Sequence, residues 1–194
     1  METDEIEVQG AYEIQPASID LHLSSEDPIT IGTAPTMVGW VTKPTHIDPA
    51  ANVSDRMHTL TRWDGKSTGT SSGWKLPSHG FALASTTERV RIGPNHVARL
   101  EGKSSLARLG LTVHITAGFF DPGFEGYPTL ELFNCTGFDF LLVPGMPICQ
   151  MAFEQLSSPC AVPYSGKYVN QGPKPQPSRY DKNFTTSDGR PVLR

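Results

Sequence analysis

Apolar and polar residues alternate with a period of two along most of the readable chain. In Ile19-Asp20-Leu21-His22-Leu23 the three apolar side chains fall on one face, with Asp20 and His22 on the other, which is the pattern of a half-buried strand. Phe81, Leu83 and Ser85 alternate with Ala82 and Ala84, and Val90 and Ile92 follow after Thr-Thr-Glu-Arg. The same reasoning predicts strands at Val97 to Leu100, Leu111 to Thr116, Thr129 to Phe133, Phe140 to Val143 and Ile148 to Phe153. In Thr129 to Phe133 the pattern puts Leu130 and Leu132 on one face and Thr129, Glu131 and Phe133 on the other. Turns are expected at Pro94-Asn95-His96, Asp121-Pro122-Gly123 and Pro144-Gly145. Many short strands joined by Gly/Pro turns predict an all-β sandwich or distorted barrel.

Residues 24–80 carry the weakest pattern. Ser67-Thr68-Gly69-Thr70-Ser71-Ser72-Gly73 predicts a flexible loop. His46, His58 and His79 are spaced too irregularly to predict a metal site, and Trp40, Trp63 and Trp74 are expected to pack rather than recognise. From Ser165 the texture becomes Pro-rich and polar, as in a mobile tail.

Composition narrows the function classes. With 18 Gly and 17 Pro among 194 residues, long helices are not expected. A formal net charge of −4 supplies no general basic field, so nucleic acid is not an expected partner. The N-terminal Met-Glu-Thr-Asp-Glu is acidic and predicts no signal peptide. No apolar run approaches the ~18 residues that a membrane-spanning helix needs. Three cysteines without a CxxC pair suit free thiols in a reducing cytoplasm.

The chemistry concentrates between Ala98 and Asn134. Glu101-Gly-Lys-Ser-Ser-Leu-Ala-Arg108 puts two hydroxyls, two cations and a glycine in one short turn, a composition suited to phosphate. Asp121 opens the next turn, and Glu131 stands in mid-strand between leucines, costly for a carboxylate without partners or a task. A zinc-dependent deaminase would show His-x-Glu and Pro-Cys-x-x-Cys, and neither occurs, so no zinc is expected.

GKSSLARLGL (102–111), TAGFFDPGFEG (116–126) and TLELFN (129–134) resemble the core motifs of the dCTP deaminase family, within the trimeric dUTPase superfamily. The resemblance extends through IQPASIDLHL (14–23), ALASTTERVRI (82–92), the stretch 142–164 and GKY…Q (166–171), leaving Met37 to Ser72 unmatched. It implies a dUTPase-like distorted β-barrel or jelly roll over residues 1–184. Residues 164–184 would be a C-terminal lid and 185–194 a flexible tail. It also implies a cytoplasmic homotrimer with active sites between subunits.

By the same resemblance, Glu131 is the general acid/base of a metal-independent deamination. Ser104 and the backbone carbonyl of Ala117 hold its water, and Arg108 stands beside the carboxylate. The nucleotide would be bound by Lys103, Ser104, Ser105, Leu106, Ala107 and Arg108, with Gln150 as a further contact. Thr129, Leu130 and Glu131 would line the base pocket, Asp121 would contact the sugar or a water, and Tyr164, Lys167 and Gln171 would reach the phosphates. Mg²⁺ is expected with the triphosphate rather than in a protein cage. Gly118-Phe119 matches members that convert dCTP through to dUMP, ammonia and pyrophosphate, with Asp121 holding the second water. The alternatives are a deaminase that releases dUTP, a dUTPase, and a catalytically silent nucleotide-binding regulator.

Overall fold

The computed structural model describes residues 6–31, 57–66 and 71–179. In chain order the strands are β1 (Glu7–Gln9), β2 (Glu13–Ile14), β3 (Ile19–His22), β4 (Ile29–Ile31), β5 (Met57–Thr59), β6 (Arg62–Trp63), β7 (Gly73–Leu76), β8 (Phe81–Ser85), β9 (Arg89–Arg91) and β10 (His96–Gly102). One helical turn, α1 (Ser104–Ala107), precedes β11 (Leu111–Thr112), β12 (Phe119–Phe120), β13 (Glu125–Gly126), β14 (Thr129–Asn134), β15 (Phe140–Leu142) and β16 (Pro147–Gln155). The regular structure among the described residues is thus almost entirely strand, as the alternation and the Gly/Pro content predict.

Two five-stranded sheets, in the orders β12-β10-β16-β3-β2 and β11-β14-β8-β4-β5, carry most of the pairing. Two three-stranded sheets, β1-β9-β13 and β15-β7-β6, complete the set. The longest ladder joins β10 to β16 in antiparallel register from His96 opposite Gln155 to Gly102 opposite Cys149. It buries Ala98, Leu100, Cys149 and Met151 in the core. On β14 Leu130 and Leu132 are fully buried, and their partners on β8 are Ala84 and Ala82. Large side chains thus oppose small ones, and full burial of each Leu is worth ~1.5–3 kcal/mol. Trp63 and Trp74 pack inside as expected, with Trp74 Nε1 donating to Asp27 Oδ1 at 2.9 Å. Trp40 and His46 lie outside the described residues, as does most of Met37 to Ser72 and the part of the Ser/Thr/Gly loop at 67–70.

Three departures from the alternation shape the site. Leu21 and Leu23 face the core, yet Asp20 on the other face of β3 is only 2% exposed. Its carboxylate takes hydrogen bonds from the Lys103 ammonium and from Gln15 Nε2, the latter at 3.0 Å. Beside it, His22 Nδ1 meets the fully buried Glu88 at 2.8 Å, and the His22 backbone N–H donates to the same carboxylate at 3.0 Å. A buried charge survives where such partners surround it. Cys149 lies near both acids, and burial pushes its thiol well above the usual range, with Glu88 and Asp20 adding to the shift.

The second departure is at β11. A strand is predicted through Thr116, but pairing with β14 ends at Thr112 opposite Phe133. Thr116 then takes a left-handed φ of 67°, which a β-branched residue adopts only under constraint. The third is the C-terminal segment. It docks on its own chain, with Asn170 N–H donating to Glu125 O at 2.6 Å and Tyr127 N–H to Gln171 O at 3.2 Å. Gln171 Nε2 returns a bond to Tyr127 O at 2.6 Å, and Ser85 Oγ donates to Pro173 O. Residues 180–194, including the predicted tail, lie outside the described residues.

Candidate active site

The odd-numbered faces of β8 and β14 form one wall of a cavity of about 420 Å³, within the range of small-molecule sites. Leu83 lies directly opposite Glu131 in that wall, and Thr129 stands two residues along on the same face. The loop after β11 brings in Ala117, and β12 with its following turn brings in Phe119, Phe120 and Asp121. Phe124 packs edge-on against Phe120, with ring centroids 4.8 Å apart. The C-terminal segment closes the other side with Tyr164, Tyr168 and Gln171, then Gln176 and Ser178.

Glu131 is half-buried and held at both backbone and side chain. Its backbone N–H donates to Val113 O at 3.0 Å, and its Oε2 accepts from Ile115 N–H at 2.7 Å. The same short segment, bent out of β11, therefore fixes the carboxylate's direction. Oε1 accepts no hydrogen bond from the described residues.

Asp121 starts the expected turn, in which Phe124 N–H donates to Asp121 O at 3.1 Å and Gly123 has a φ of 89°. That conformation favours glycine, and a Cβ there would also come 2.7 Å from Pro163 Cβ. Tyr164 N–H donates to Pro122 O at 2.7 Å, which ties this turn to the start of the C-terminal segment. At Gly118 a Cβ would stand 2.7 Å from Leu100 O and 3.1 Å from His114 Cε1. Glycine is thus required for β12 to lie against β10, where Leu100 N–H donates to Gly118 O at 2.7 Å.

The other expected nucleotide contacts do not line this cavity. Ser104, Ser105, Ala107 and Arg108 are exposed on α1, and Leu106 packs against the core. Lys103, the N-cap of α1, turns its ammonium to Asp20 instead of outward. Gln150 donates to Gly102 O at 3.2 Å and accepts from Ser18 Oγ at 3.3 Å. Leu130 points into the core, so only its backbone is on the strand that forms the wall. Lys167 donates to Arg179 O at 3.1 Å and lies 5.2 Å from the Tyr168 ring centre.

A family model described as dCTP deaminase-like matches residues 1–156. The chain belongs to the dCTP deaminase-like family. It is 44% identical over 175 residues to a Bifidobacterium longum protein named "dCTP deaminase, dUMP-forming", covering 88% of this chain and 83% of that one. A Corynebacterium glutamicum protein of the same name is 41% identical over 183 residues, covering 92% and 89%. Among solved structures, the 2'-deoxycytidine 5'-triphosphate deaminase from Agrobacterium tumefaciens aligns with a TM-score of 0.51 at 20% identity, over 79% of this chain and 44% of that one. That likeness agrees with the all-β architecture.

Several cavity residues of this family member were not singled out from sequence. Phe81 and Leu83 had a signal, the alternation that puts them on the face opposite Ala82 and Ala84. Tyr168 also had one, its place in the GKY…Q stretch, although only Lys167 and Gln171 were named from it. Phe120 and Phe124 lie inside the TAGFFDPGFEG motif without having been named from it, and Gln176 and Ser178 had no signal. Among the described residues, no cluster of three His, Cys, Asp or Glu is arranged to hold a metal ion, and no helix is long and apolar enough to cross a membrane.

Proposed function

We propose that this protein hydrolyses dCTP to dUMP, ammonia and pyrophosphate in one site. The observation that carries the reading is one cavity containing both Glu131 and Asp121, with Glu131 aimed by the Ile115 N–H. In the first step a water adds to C4 of cytosine. Glu131 takes its proton and passes it towards the departing amine, so that dCTP and water become dUTP and ammonia. The carbonyl of Ala117, in the same cavity, orients that water. In the second step Asp121 holds a further water in line with the α-phosphorus, and dUTP and water become dUMP and pyrophosphate. Mg²⁺ arrives as part of the substrate, coordinated by its phosphates.

Ser104 and Arg108 belong to this reaction across a subunit boundary. Both are exposed on α1 and outside their own chain's cavity. Leu109 and Phe138, beside a shallow depression next to α1, are 62% and 82% exposed, which suits a covered interface. A homotrimer in the cytoplasm, with α1 of one subunit completing the cavity of the next, accounts for these features. Tyr164, Lys167 and Gln171 then bring the C-terminal segment over the nucleotide from the subunit that supplies Glu131.

The test is incubation with dCTP and Mg²⁺, measuring ammonia, pyrophosphate and free dUTP separately, alongside a parallel incubation with dUTP. Ammonia and pyrophosphate in equal amounts with little free dUTP are expected. Stoichiometric dUTP would make the protein a deaminase alone. Pyrophosphate from dUTP without ammonia from dCTP would make it a dUTPase, and no turnover of either would leave a binding protein. Asp121→Asn is expected to suppress pyrophosphate more than ammonia.

A further inference from the structure

Phe119 presents a physical problem that its own strand does not solve. It is 49% exposed, yet its ring lines the cavity beside Asp121. Its strand, β12, is two residues long and lies at the edge of its sheet, paired only through Ala98 opposite Phe120 and Arg99 opposite Phe119. Phe120 is secured by burial against Phe124. Phe119, on the outer side, has no such pocket. What covers it is Arg99, whose guanidinium carbon lies 5.1 Å from the ring centre. Arg99 is held in turn by Glu154 on β16, with Nε to Oε1 at 2.8 Å. Phe119 lies directly opposite Arg99, and Glu154 reaches Arg99 diagonally from its place opposite Val97, so the three link adjacent strands β12, β10 and β16 on one face.

We infer that Arg99, fixed by Glu154, is a positioning residue that holds Phe119 and the Asp121 turn in place for the second hydrolysis. It thereby decides how much dUTP is cleaved before it escapes. The inference rests on the dUMP-forming reading above. A cation over an aromatic face and a direct cross-strand pair each favour one placement of the ring. The effect is modest because Arg99 and Glu154 are each about half exposed and screened by water. At an exposed site a cation–π contact biases a two-position equilibrium by roughly two- to fivefold. That is too little to abolish a reaction, but enough to alter a partition between cleavage and release. Deamination depends on Glu131, anchored separately through Ile115 and Val113, so the two steps respond differently.

The experiment follows both products from dCTP and Mg²⁺ in the full chain and in Arg99→Ala, Arg99→Lys, Glu154→Gln, Phe119→Ala and Arg99→Ala/Phe119→Ala, with thermal unfolding of each. Arg99→Ala is expected to raise the ratio of free dUTP to dUMP by roughly two- to fivefold, with ammonia release changing less. Arg99→Lys, which keeps a cation but loses the Nε–H that reaches Glu154, is expected to fall between parent and Arg99→Ala. Glu154→Gln should move in the same direction. The double variant should be no worse than Phe119→Ala alone, because Arg99 acts through that ring. An unchanged product ratio in Arg99→Ala overturns the inference and leaves the dUMP-forming reading intact. So does a double variant whose effects simply multiply. A parent that forms no dUMP from dCTP overturns both.

Discussion

Asp20 and Lys103 offer the sharpest test of how the fold positions α1. Lys103 belongs to the motif expected to bind phosphate, but its ammonium is committed to a carboxylate whose side chain is 3% exposed, while the lysine is 22% exposed. Asp20 Oδ2 also accepts from Gln15, and Oδ1 has no partner among the described residues. Lys103→Met leaves a buried carboxylate with Gln15 alone, and removing one member of a buried pair costs about 3–5 kcal/mol. Asp20→Asn leaves the charge on the member that can still turn to water, so it should cost less, ~1–3 kcal/mol. In a chain of this length each kcal/mol shifts the melting temperature by roughly 2–4 °C. Lys103→Met is then expected to melt well below the parent, Asp20→Asn between them, and Asp20→Asn/Lys103→Met above Lys103→Met, since no charge is left unpaired. Circular dichroism melts at one fixed protein concentration, which matters if subunits assemble, would measure all four proteins. Two single variants within a degree of the parent, or a double variant equal to the sum of the singles, would refute the coupling.

The remaining expectations are simpler. Glu131→Gln should lose ammonia release by ~10²–10⁴-fold while still binding dCTP, measured by turnover and by calorimetric titration; wild-type deamination would remove Glu131 from the mechanism. Mixing inactive Glu131→Gln with inactive Arg108→Ala after subunit exchange should restore activity if α1 completes a neighbour's cavity, and no recovery would place both groups in one subunit's site. For the thiols, a disulfide reagent should modify exposed Cys135 first and half-buried Cys160 more slowly. Cys149 should react only on unfolding, because burial raises its thiol far from the reactive thiolate.

What the sequence made legible is what depends on one strand at a time. The faces of β3, β8 and β14 could be read from alternation, because a period of two is set by the backbone itself. The Asp121 turn could be read from Pro122 and Gly123, whose conformational limits are local. Partnership across the fold could not. Asp20 reads as a water-facing residue until β3 is placed beside β16 and under Lys103, 83 positions away in the chain. The row from Glu154 through Arg99 to Phe119 depends on two separate strand registers, and no local pattern specifies either. The family motifs grouped Lys103 to Arg108 with Glu131, while the fold sets them on different faces of one chain.

The stretch whose pattern misleads is also the one that builds the site. Leu111 to Thr116 has the alternation of a strand, and continuing the ladder beyond Thr112 would have spent its donors on backbone pairing. Val113 O still takes the Glu131 backbone N–H, but the Ile115 N–H then turns to the Glu131 carboxylate at 2.7 Å. The left-handed Thr116 follows at once, then Ala117 at the cavity wall and Gly118 pressed against Leu100 O. A strained φ of this kind costs of order 1–3 kcal/mol and persists only where surrounding contacts enforce it. Here those contacts are the Glu131 carboxylate on one side and the Leu100 N–H bond to Gly118 O on the other. The strand pattern fails at this point because, after Val113, the backbone is diverted from pairing with its neighbour to aiming the Glu131 carboxylate into the cavity.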